Sequence, residues 1–226
     1  MKVLILCESS GVMREAFRSA GHDAWSNDLL PADTPTDYHI QGDCIDVLKS
    51  NERWDLIIMH PECTALCVSG NAHYGTGMAK HDLRLAAIDW TMKLWHLATT
   101  VCDKVCMENP VGVLPIKPTQ YVQPYQFGHA ESKKTGLWLH GLQPLTPTNI
   151  IDKPERGYWD NQTPSGQNNL GPSETRWKQR SRTYEGIAAA CAEQWGFTST
   201  PMPTSTPKST PTSTPTSTPT STPTPS

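Results

Sequence analysis

Cys63 stands where a nucleophilic side chain would be most useful. It follows Pro61 and the apolar run DLIIMH, so its thiol is expected just beyond a buried strand, at the rim of a sheet. A thiol attacks as the thiolate, which requires a nearby cation or helix N-terminus to lower its pKa. Glu108 follows the next apolar run and would bring an acid to the same rim. A lone cysteine or a lone acid at a strand end is more often structural. A catalytic role is therefore expected only if Cys63 and Glu108 lie close together.

Small polar and acidic residues follow the earlier apolar runs. The turn Glu8-Ser9-Ser10-Gly11 opens a predicted helix, whose N-terminus could face an anionic group of a ligand. Asp28 comes 17 residues after Gly11, where an acidic side chain commonly accepts hydrogen bonds from ribose hydroxyls. Asp43 follows the next short run. There is no G-x-G-x-x-G, so these residues favour a nucleoside-bearing cofactor over a dinucleotide.

The elements that must position these residues alternate between strands and helices, which predicts an α/β fold with a parallel sheet. Between Lys80 and Thr100, Leu83, Ala87, Trp90, Leu94 and Leu97 recur at helical spacing and are expected on one buried face. The predicted strands are Lys2–Cys7, Ala24–Asn27, His39–Gly42, Asp55–His60 and Val105–Met107, and the predicted helices are 12–20, Cys44–Lys49, Lys80–Thr100 and Tyr184–Trp195.

The chain divides into three segments. One domain is expected over 1–144 and 181–197, interrupted by a region of loops at 145–180 that is rich in Pro, Gly and Gln. From residue 198 onward a near-repeat of Ser-Thr-Pro carries Lys208 as its one charge, which predicts a disordered or polyproline-like tail.

Composition narrows the class of protein. No run approaches the ~20 apolar residues that span a bilayer, and the seven cysteines lie partly within apolar runs, so we expect a cytoplasmic, reduced monomer. The pairs Cys63/Cys67 and Cys102/Cys106 have a three-residue gap and no nearby pair of histidines, which disfavours zinc. Residues 111–183 carry 9 Lys/Arg against 5 Asp/Glu and are the segment where a polyanion would bind, although an ordinary solvated surface has the same composition.

Six motifs in order resemble those of the DNA (cytosine-5) methyltransferase family over most of residues 3–196. The nucleophile motif surrounds Cys63, the Glu-Asn motif begins at Glu108, and the last motif carries Thr183 and Tyr184. The motifs are LCESSGVMREAFRSAGHDAWSNDL, Gly42-Asp43, WDLIIMHPECTALCVSG, MENPVG, FGHAESKKTGLWL and SRTYEGIAAACAEQWG.

The resemblance implies a Rossmann-like S-adenosylmethionine-dependent methyltransferase that acts on a flipped or single-stranded cytosine in DNA. Cys63 would add to C6, a protonated Glu108 would hydrogen-bond N3, and Asn109 would hold the loop. Glu131 and Lys133 stand where the family has a Gln and an Arg and would complete the catalytic set. The implied cofactor-binding residues are Glu8, Ser9, Ser10, Gly11, Asp28, Asp43, Pro61, Thr183 and Tyr184.

DNA contacts are expected outside the catalytic motifs. Lys134 would face the phosphate backbone, and residues 145–180 would form a reduced target-recognition region. A lysine beside the pocket would also suit a cofactor that carries an extra carboxylate. Arg176, Lys178, Arg180 and Arg182 follow as candidates to track the phosphates.

Three alternatives remain open at this point. The small recognition region favours modification of a free cytosine nucleotide. The unusual first motif favours a catalytically silent DNA-binding protein with the same fold. An amino-group methyltransferase is disfavoured, because His60-Pro61-Glu62-Cys63 poorly matches the Asp/Asn-Pro-Pro-aromatic tetrad of those enzymes.

Overall fold

A seven-stranded, mostly parallel sheet forms the centre of the protein, which confirms the α/β class. The computed structural model describes residues 1–174 and 176–196. The order along the sheet is β3-β2-β1-β4-β5-β7-β6, with β7 antiparallel to both of its neighbours. The strands are β1 Lys2–Leu6, β2 Asp23–Asp28, β3 His39–Gln41, β4 Leu56–Met59, β5 Val105–Pro110, β6 Gln120–Val122 and β7 Thr135–His140.

The two central strands are continuous apolar runs because both faces of the sheet are covered. All four residues of β4 and the last four of β1 are buried. The chain runs outward from β1 to β3 and then returns to β4 on the other side of β1. In open sheets of this kind, ligands bind outside the carboxyl ends of the strands at this reversal. We call this edge of the sheet the carboxyl edge.

Helices cover the sheet on both sides. The first and last helices pack on one face through Phe17 and Ile187, and the second and fourth pack on the other through Leu48 and Leu94. The helices are α1 Val12–Ser19, α2 Cys44–Lys49, α3 Asn71–Tyr74, α4 His81–Val101, α5 Arg176–Ser181 and α6 Glu185–Gly196. None of the described helices is long and apolar enough to cross a membrane.

The prediction that Leu83 and Trp90 lie on a buried face of α4 is wrong. Leu83 is 58% exposed and Trp90 is 38% exposed, so Trp90 is not a core residue. Arg84 turns inward in their place, because its guanidinium donates to carbonyl groups of the loop that follows β4. The buried residues of the helix are Arg84, Thr91, Leu94 and Ala98.

Strand β5 is longer than predicted. Glu108-Asn109-Pro110 was expected to follow the strand, but β7 pairs with β5 as far as Pro110, opposite Thr135. The residues just before β7 therefore lie at the carboxyl end of β5. An antiparallel strand brings its amino end to an edge where parallel strands bring their carboxyl ends.

The loop-rich region beyond residue 144 is fastened to the sheet domain by an aromatic pair. The rings of Tyr125 and Trp159 stack with 4.6 Å between their centroids.

The first and last residues of the described domain both lie near the start of β2. Asp23 donates its backbone N–H to the carbonyl of Met1, and a Cβ on Gly196 would come within 2.3 Å of His22. The tail predicted for 198–226 lies outside the described residues.

Candidate active site

The register of two neighbouring strands assembles the centre of the candidate site. In the parallel pair β4 and β5, Met59 lies opposite Met107, so His60 and Pro61 come beside Glu108 and Asn109. The Asn109 side chain donates to the carbonyl of Pro61 at 3.0 Å. The segment that carries Cys63 is therefore tied to the strand that carries Glu108.

Arg84 organises the loop around Cys63, and sequence reasoning missed it. Its side chain is 6% exposed and donates to the Ala65 carbonyl at 2.7 Å, the Asn71 side chain at 2.8 Å and the Cys67 carbonyl at 3.2 Å. Cys63 accepts backbone hydrogen bonds from residues 66 and 67 at the start of the same loop. A buried arginine that interrupts an apolar helix pattern is the signal that could have identified this role.

Cys63 is held as a thiol in the protein without substrate. Burial, the charge of Glu108 and the neighbouring Cys67 raise its pKa to about 11, while Lys133 opposes that rise. Attack as a thiolate requires a change in these surroundings. Entry of substrate that brings a positive charge closer or neutralises Glu108 would favour the thiolate.

Glu108 is paired with a residue that sequence reasoning did not assign. Its carboxylate accepts a hydrogen bond from Nδ1 of His60 at 2.9 Å. Burial alone would raise the pKa of Glu108, but the His60 hydrogen bond and the charges of Lys133 and His60 outweigh it and lower the pKa. The protonated Glu108 that the resemblance implies is therefore not favoured in the protein alone.

Lys133 and the start of the last helix meet Glu108 around a small cavity of about 20 Å³. The Tyr184 hydroxyl donates to Glu131 at 2.5 Å, so Glu131 anchors the last motif. Gln123, which the sequence did not reveal, accepts from the Lys133 backbone N–H at 3.0 Å. The cavity is lined by Glu108, Val122, Lys133, Thr135, Leu137, Thr183, Tyr184 and Ile187.

Glu8 caps helix α1 rather than leaving its N-terminus open for a ligand. It is 5% exposed and accepts the backbone N–H groups of Met13 at 2.7 Å and Arg14 at 3.3 Å. Ser10 donates to the same carboxylate, and Ser9 accepts a backbone hydrogen bond from Asp33. Glu8 therefore has a structural role in this turn, and its direct contact with a cofactor stays a prediction.

Gly11 also serves the fold. It has a φ of 74°, and a Cβ there would lie 2.4 Å from the Arg14 guanidinium. That guanidinium is buried and donates to Ser26 at 2.6 Å. Gly11 is required by the left-handed turn and by the close approach of Arg14.

Asp28 and Asp43 lie at the carboxyl edge with capacity for a ligand. Asp28 accepts the Leu30 N–H at 2.9 Å, and Asp43 accepts the Ile45 N–H at 2.7 Å, each through one carboxylate oxygen. Buried Asn27 ties the two segments together by donating to the Ile40 and Gly42 carbonyls. The second oxygen of each aspartate accepts no hydrogen bond from the described residues.

Three buried polar atoms at the carboxyl edge lack a hydrogen-bond partner among the described residues. They are Oδ1 of Asn27, Nε2 of His60 and Oδ1 of Asn109, at the ends of β2, β4 and β5. An unmatched buried polar atom costs about 1–3 kcal/mol unless water or a ligand satisfies it. They lie on both sides of the reversal, at the edge where open sheets of this kind bind ligands.

Of the five predicted DNA-contacting residues, Arg176, Lys178 and Arg180 lie on helix α5, Arg182 follows it, and Lys134 directly precedes β7. Lys134 is exposed, with its ammonium 4.3 Å from the centroid of the Tyr121 ring. Lys178 pairs with Asp33 at 2.7 Å, and Arg176 donates to the carbonyl of Leu170. Arg180 is exposed, and Arg182 lies 3.7 Å from Glu185. Contact with DNA remains a prediction for all five, with Arg176 and Lys178 already engaged within the protein.

Within residues 1–174 and 176–196, no three His, Cys, Asp or Glu side chains are placed to hold a metal ion. Comparison with known proteins found no matching family model and no matching curated sequence.

Proposed function

We propose that the protein methylates C5 of cytosine in DNA, with S-adenosylmethionine as the donor and Cys63 as the nucleophile. The observation that carries this proposal is the meeting of a thiol, a carboxylate and an ammonium at one sheet edge. Glu108 and Lys133 both act on the charge state of Cys63. Three such groups from distant segments suit a reaction that needs a nucleophile and charge control at a heteroaromatic ring.

The addition step sets the requirements on each residue. Cytosine C5 is a weak nucleophile, so the Cys63 thiolate first adds to C6, which makes C5 electron-rich. Negative charge then develops toward N3, where a hydrogen bond from protonated Glu108 stabilises it. After C5 has taken the methyl group, loss of the C5 proton and departure of the thiolate restore the ring.

The cofactor is proposed to lie across the reversal between β1 and β4. When bound, S-adenosylmethionine supplies an electrophilic methyl group on a sulfonium. Asp28 would hold the ribose, Asp43 would contact the adenine, and Thr183 with Tyr184 would lie near the cofactor. Because Glu8 occupies the N–H groups of Met13 and Arg14, the amino-acid end of the cofactor must use the remaining backbone of this turn.

One observation favours a second candidate, modification of a free cytosine nucleotide. Two of the basic residues expected to track DNA have partners inside the protein, Lys178 with Asp33 and Arg176 with Leu170. Fewer free cations mean fewer phosphate contacts, and phosphate contacts supply much of the affinity for DNA. A mononucleotide carries a single phosphate group and would need fewer free cations.

The test is covalent trapping on DNA that contains 5-fluorocytosine, because fluorine at C5 prevents release of the enzyme after methyl transfer. Wild type is expected to form the adduct and Cys63→Ser to form none. Cys67→Ser is the matched control, since Cys67 lies in the same loop and contacts Ser69 and the Thr64 carbonyl.

Parallel assays with radiolabelled S-adenosylmethionine separate the alternatives. Label transferred to dCMP but to neither duplex nor single-stranded DNA would replace the proposal with nucleotide modification. DNA binding with no transfer and no adduct would identify a silent DNA-binding protein. An adduct that persists in Cys63→Ser would refute the assigned nucleophile.

A further inference from the structure

Lys133 reaches the candidate active site from an irregular segment. Residues 128–134 form neither helix nor strand and end where β7 begins at Thr135. The Lys133 side chain lines the cavity beside Glu108, with its ammonium 5.8 Å from the centroid of the Tyr184 ring. A lysine side chain has considerable rotamer freedom, and ordering it on an irregular backbone costs free energy. The place of this ammonium therefore depends on what holds the backbone around residue 132.

Asn161 holds that backbone from the loop-rich region at 145–180. Its Oδ1 accepts the Ser132 N–H at 3.1 Å, and its Nδ2 donates to the Ser132 carbonyl at 2.9 Å. One side-chain amide thus pairs with both backbone groups of Ser132, as a neighbouring β-strand would. Next to it, Asp160 donates its backbone N–H to the carbonyl of Ala130 at 3.0 Å. These hydrogen bonds join residues 160–161 to the segment that carries Lys133.

Asn161 is itself held in place. Two residues before it, Trp159 is 8% exposed and stacks on Tyr125. The backbone carbonyl of Asn161 accepts the Asn169 N–H at 3.0 Å. The loop-rich region is therefore fixed on both sides of residue 161, so the Asn161 side chain can hold its partner segment.

Gln123 holds the same segment from the chain just before it. Its Oε1 accepts the Lys133 N–H at 3.0 Å and the Ser132 hydroxyl at 3.3 Å. Gln123 thus fixes the backbone N–H of Lys133, whereas Asn161 fixes both backbone groups of the preceding residue. Because Gln123 remains when Asn161 is substituted, the protein should still fold while the Lys133 side chain moves.

We propose that Asn161 is a positioning residue, which holds the backbone of Ser132 so that the ammonium of Lys133 stays in the candidate active site. The region at 145–180 thereby acts on the reacting groups as well as on substrate binding. The charge of Lys133 opposes the rise in the pKa of Cys63 that burial and Glu108 cause. The consequence for methyl transfer rests on the proposed function, whereas the consequence for the Cys63 thiol does not.

The experiment measures the positive charge beside Cys63 with two alkylating reagents of similar size, neutral iodoacetamide and anionic iodoacetate. A nearby ammonium attracts iodoacetate, so the ratio of the iodoacetate rate to the iodoacetamide rate reports on Lys133. A change in the exposure of the thiol alters both rates together and leaves the ratio unchanged. Asn161→Ala and Lys133→Met are compared with their parent, all in a Cys67→Ser background, and mass spectrometry assigns the reaction to Cys63.

Asn168→Ala is the matched control. Asn168 belongs to the same loop-rich region and is exposed, and its Oδ1 accepts the Leu170 N–H at 3.0 Å within a local turn. Its removal loosens this region without touching the segment that carries Lys133. Circular dichroism and thermal unfolding establish that each variant folds.

We expect Asn161→Ala to lower the rate ratio about twofold and Lys133→Met to lower it about threefold. In the Lys133→Met background, Asn161→Ala should change the ratio by less than about 1.2-fold, because the ammonium is already gone. Asn168→Ala should match the parent. A folded Asn161→Ala with the parental ratio would overturn the proposal, and so would an equal fall in the Lys133→Met background or in Asn168→Ala.

A second assay separates this proposal from the proposed function. Asn161→Ala is expected to form the adduct with 5-fluorocytosine DNA about tenfold more slowly than wild type, because the ammonium is misplaced. Its affinity for DNA should stay within about twofold, because no cation is removed. If wild type forms no adduct, the proposed function fails, and the rate ratio still decides the role of Asn161. If wild type forms the adduct and the ratio is the same with and without Asn161, the proposed function stands and the positioning role fails.

Discussion

The two sides of the carboxyl edge are built differently. On the acidic side, at the ends of β1, β2 and β3, the carboxylates of Glu8, Asp28 and Asp43 accept hydrogen bonds from backbone N–H groups two to six residues further along the chain. On the nucleophile side, at the ends of β4 and β5, side chains form hydrogen bonds with groups 48 residues away along the chain. Local bonds shape turns and helix starts, whereas long-range bonds bring together groups that can react. Substitutions in the acidic side should therefore change stability, and those in the nucleophile side should change rate.

The largest effect is expected from Glu108→Gln. An amide has no proton to transfer to N3, so the single-turnover rate of methyl transfer should fall about 100-fold. The unfolding free energy should change by less than about 1 kcal/mol, because the amide oxygen can still accept from His60. Single-turnover kinetics and urea unfolding measure the two quantities. A large loss of stability with an unchanged rate would contradict the expectation that residues on the nucleophile side act on rate.

Glu8→Ala is expected to have the next largest effect, on stability. The substitution leaves the N–H groups of Met13 and Arg14 without their acceptor and should lower the unfolding free energy by about 1–2 kcal/mol. Glu8→Gln keeps an accepting oxygen and should lose less. Urea unfolding of both variants measures the difference. If Glu8→Ala is as stable as wild type but binds the cofactor more weakly, Glu8 contacts the cofactor directly.

The reactivity of Cys63 should respond in opposite directions to its two charged neighbours. Its pKa of about 11 leaves little thiolate near neutrality. Removing the negative charge in Glu108→Gln lowers that pKa and should speed alkylation by iodoacetamide at pH ~8 by about threefold. Removing the positive charge in Lys133→Met raises the pKa and should slow alkylation by a similar factor. Mass spectrometry in a Cys67→Ser background assigns the reaction to Cys63, and shifts of the same sign in both variants would contradict the charge assignment.

Asp43→Asn is expected to have the smallest effect on stability. Asparagine caps helices about as well as aspartate, so the unfolding free energy should change by less than about 0.5 kcal/mol. Thermal unfolding measures this without cofactor. A weaker affinity for S-adenosylmethionine by calorimetry, at unchanged stability, would support the proposed adenine contact, whereas unchanged affinity would exclude Asp43 from it.

The parts of the fold that sequence predicts best are those with a strong local pattern. The buried runs KVLIL and LIIM became the central strands within a residue or two of their expected ends. Strand β7 had no comparable signal, because its position depends on β5, whose paired residues lie 25 to 35 positions earlier. The buried face of α4 was misjudged because Arg84, a charged residue, is directed inward by carbonyl groups of the Cys63 loop.

The same distinction applies to the candidate site, where some residues follow from a local sequence pattern and others depend on long-range contacts. Cys63 and Glu108 could be selected from their positions after apolar runs, since both depend on where a strand ends. The partnership of His60 with Glu108 depends on strand register, and the capping role of Glu8 depends on the path of the turn. Neither is visible in residue types alone.

The proximity of Met1 and Gly196 to the start of β2 has a practical consequence for engineering. The two ends meet near His22 and Asp23, at the amino ends of the strands and away from Cys63. A short linker could therefore join residue 196 to residue 1, with new termini opened in a surface loop. The same geometry would place a fused domain at the amino ends of the strands, away from Cys63.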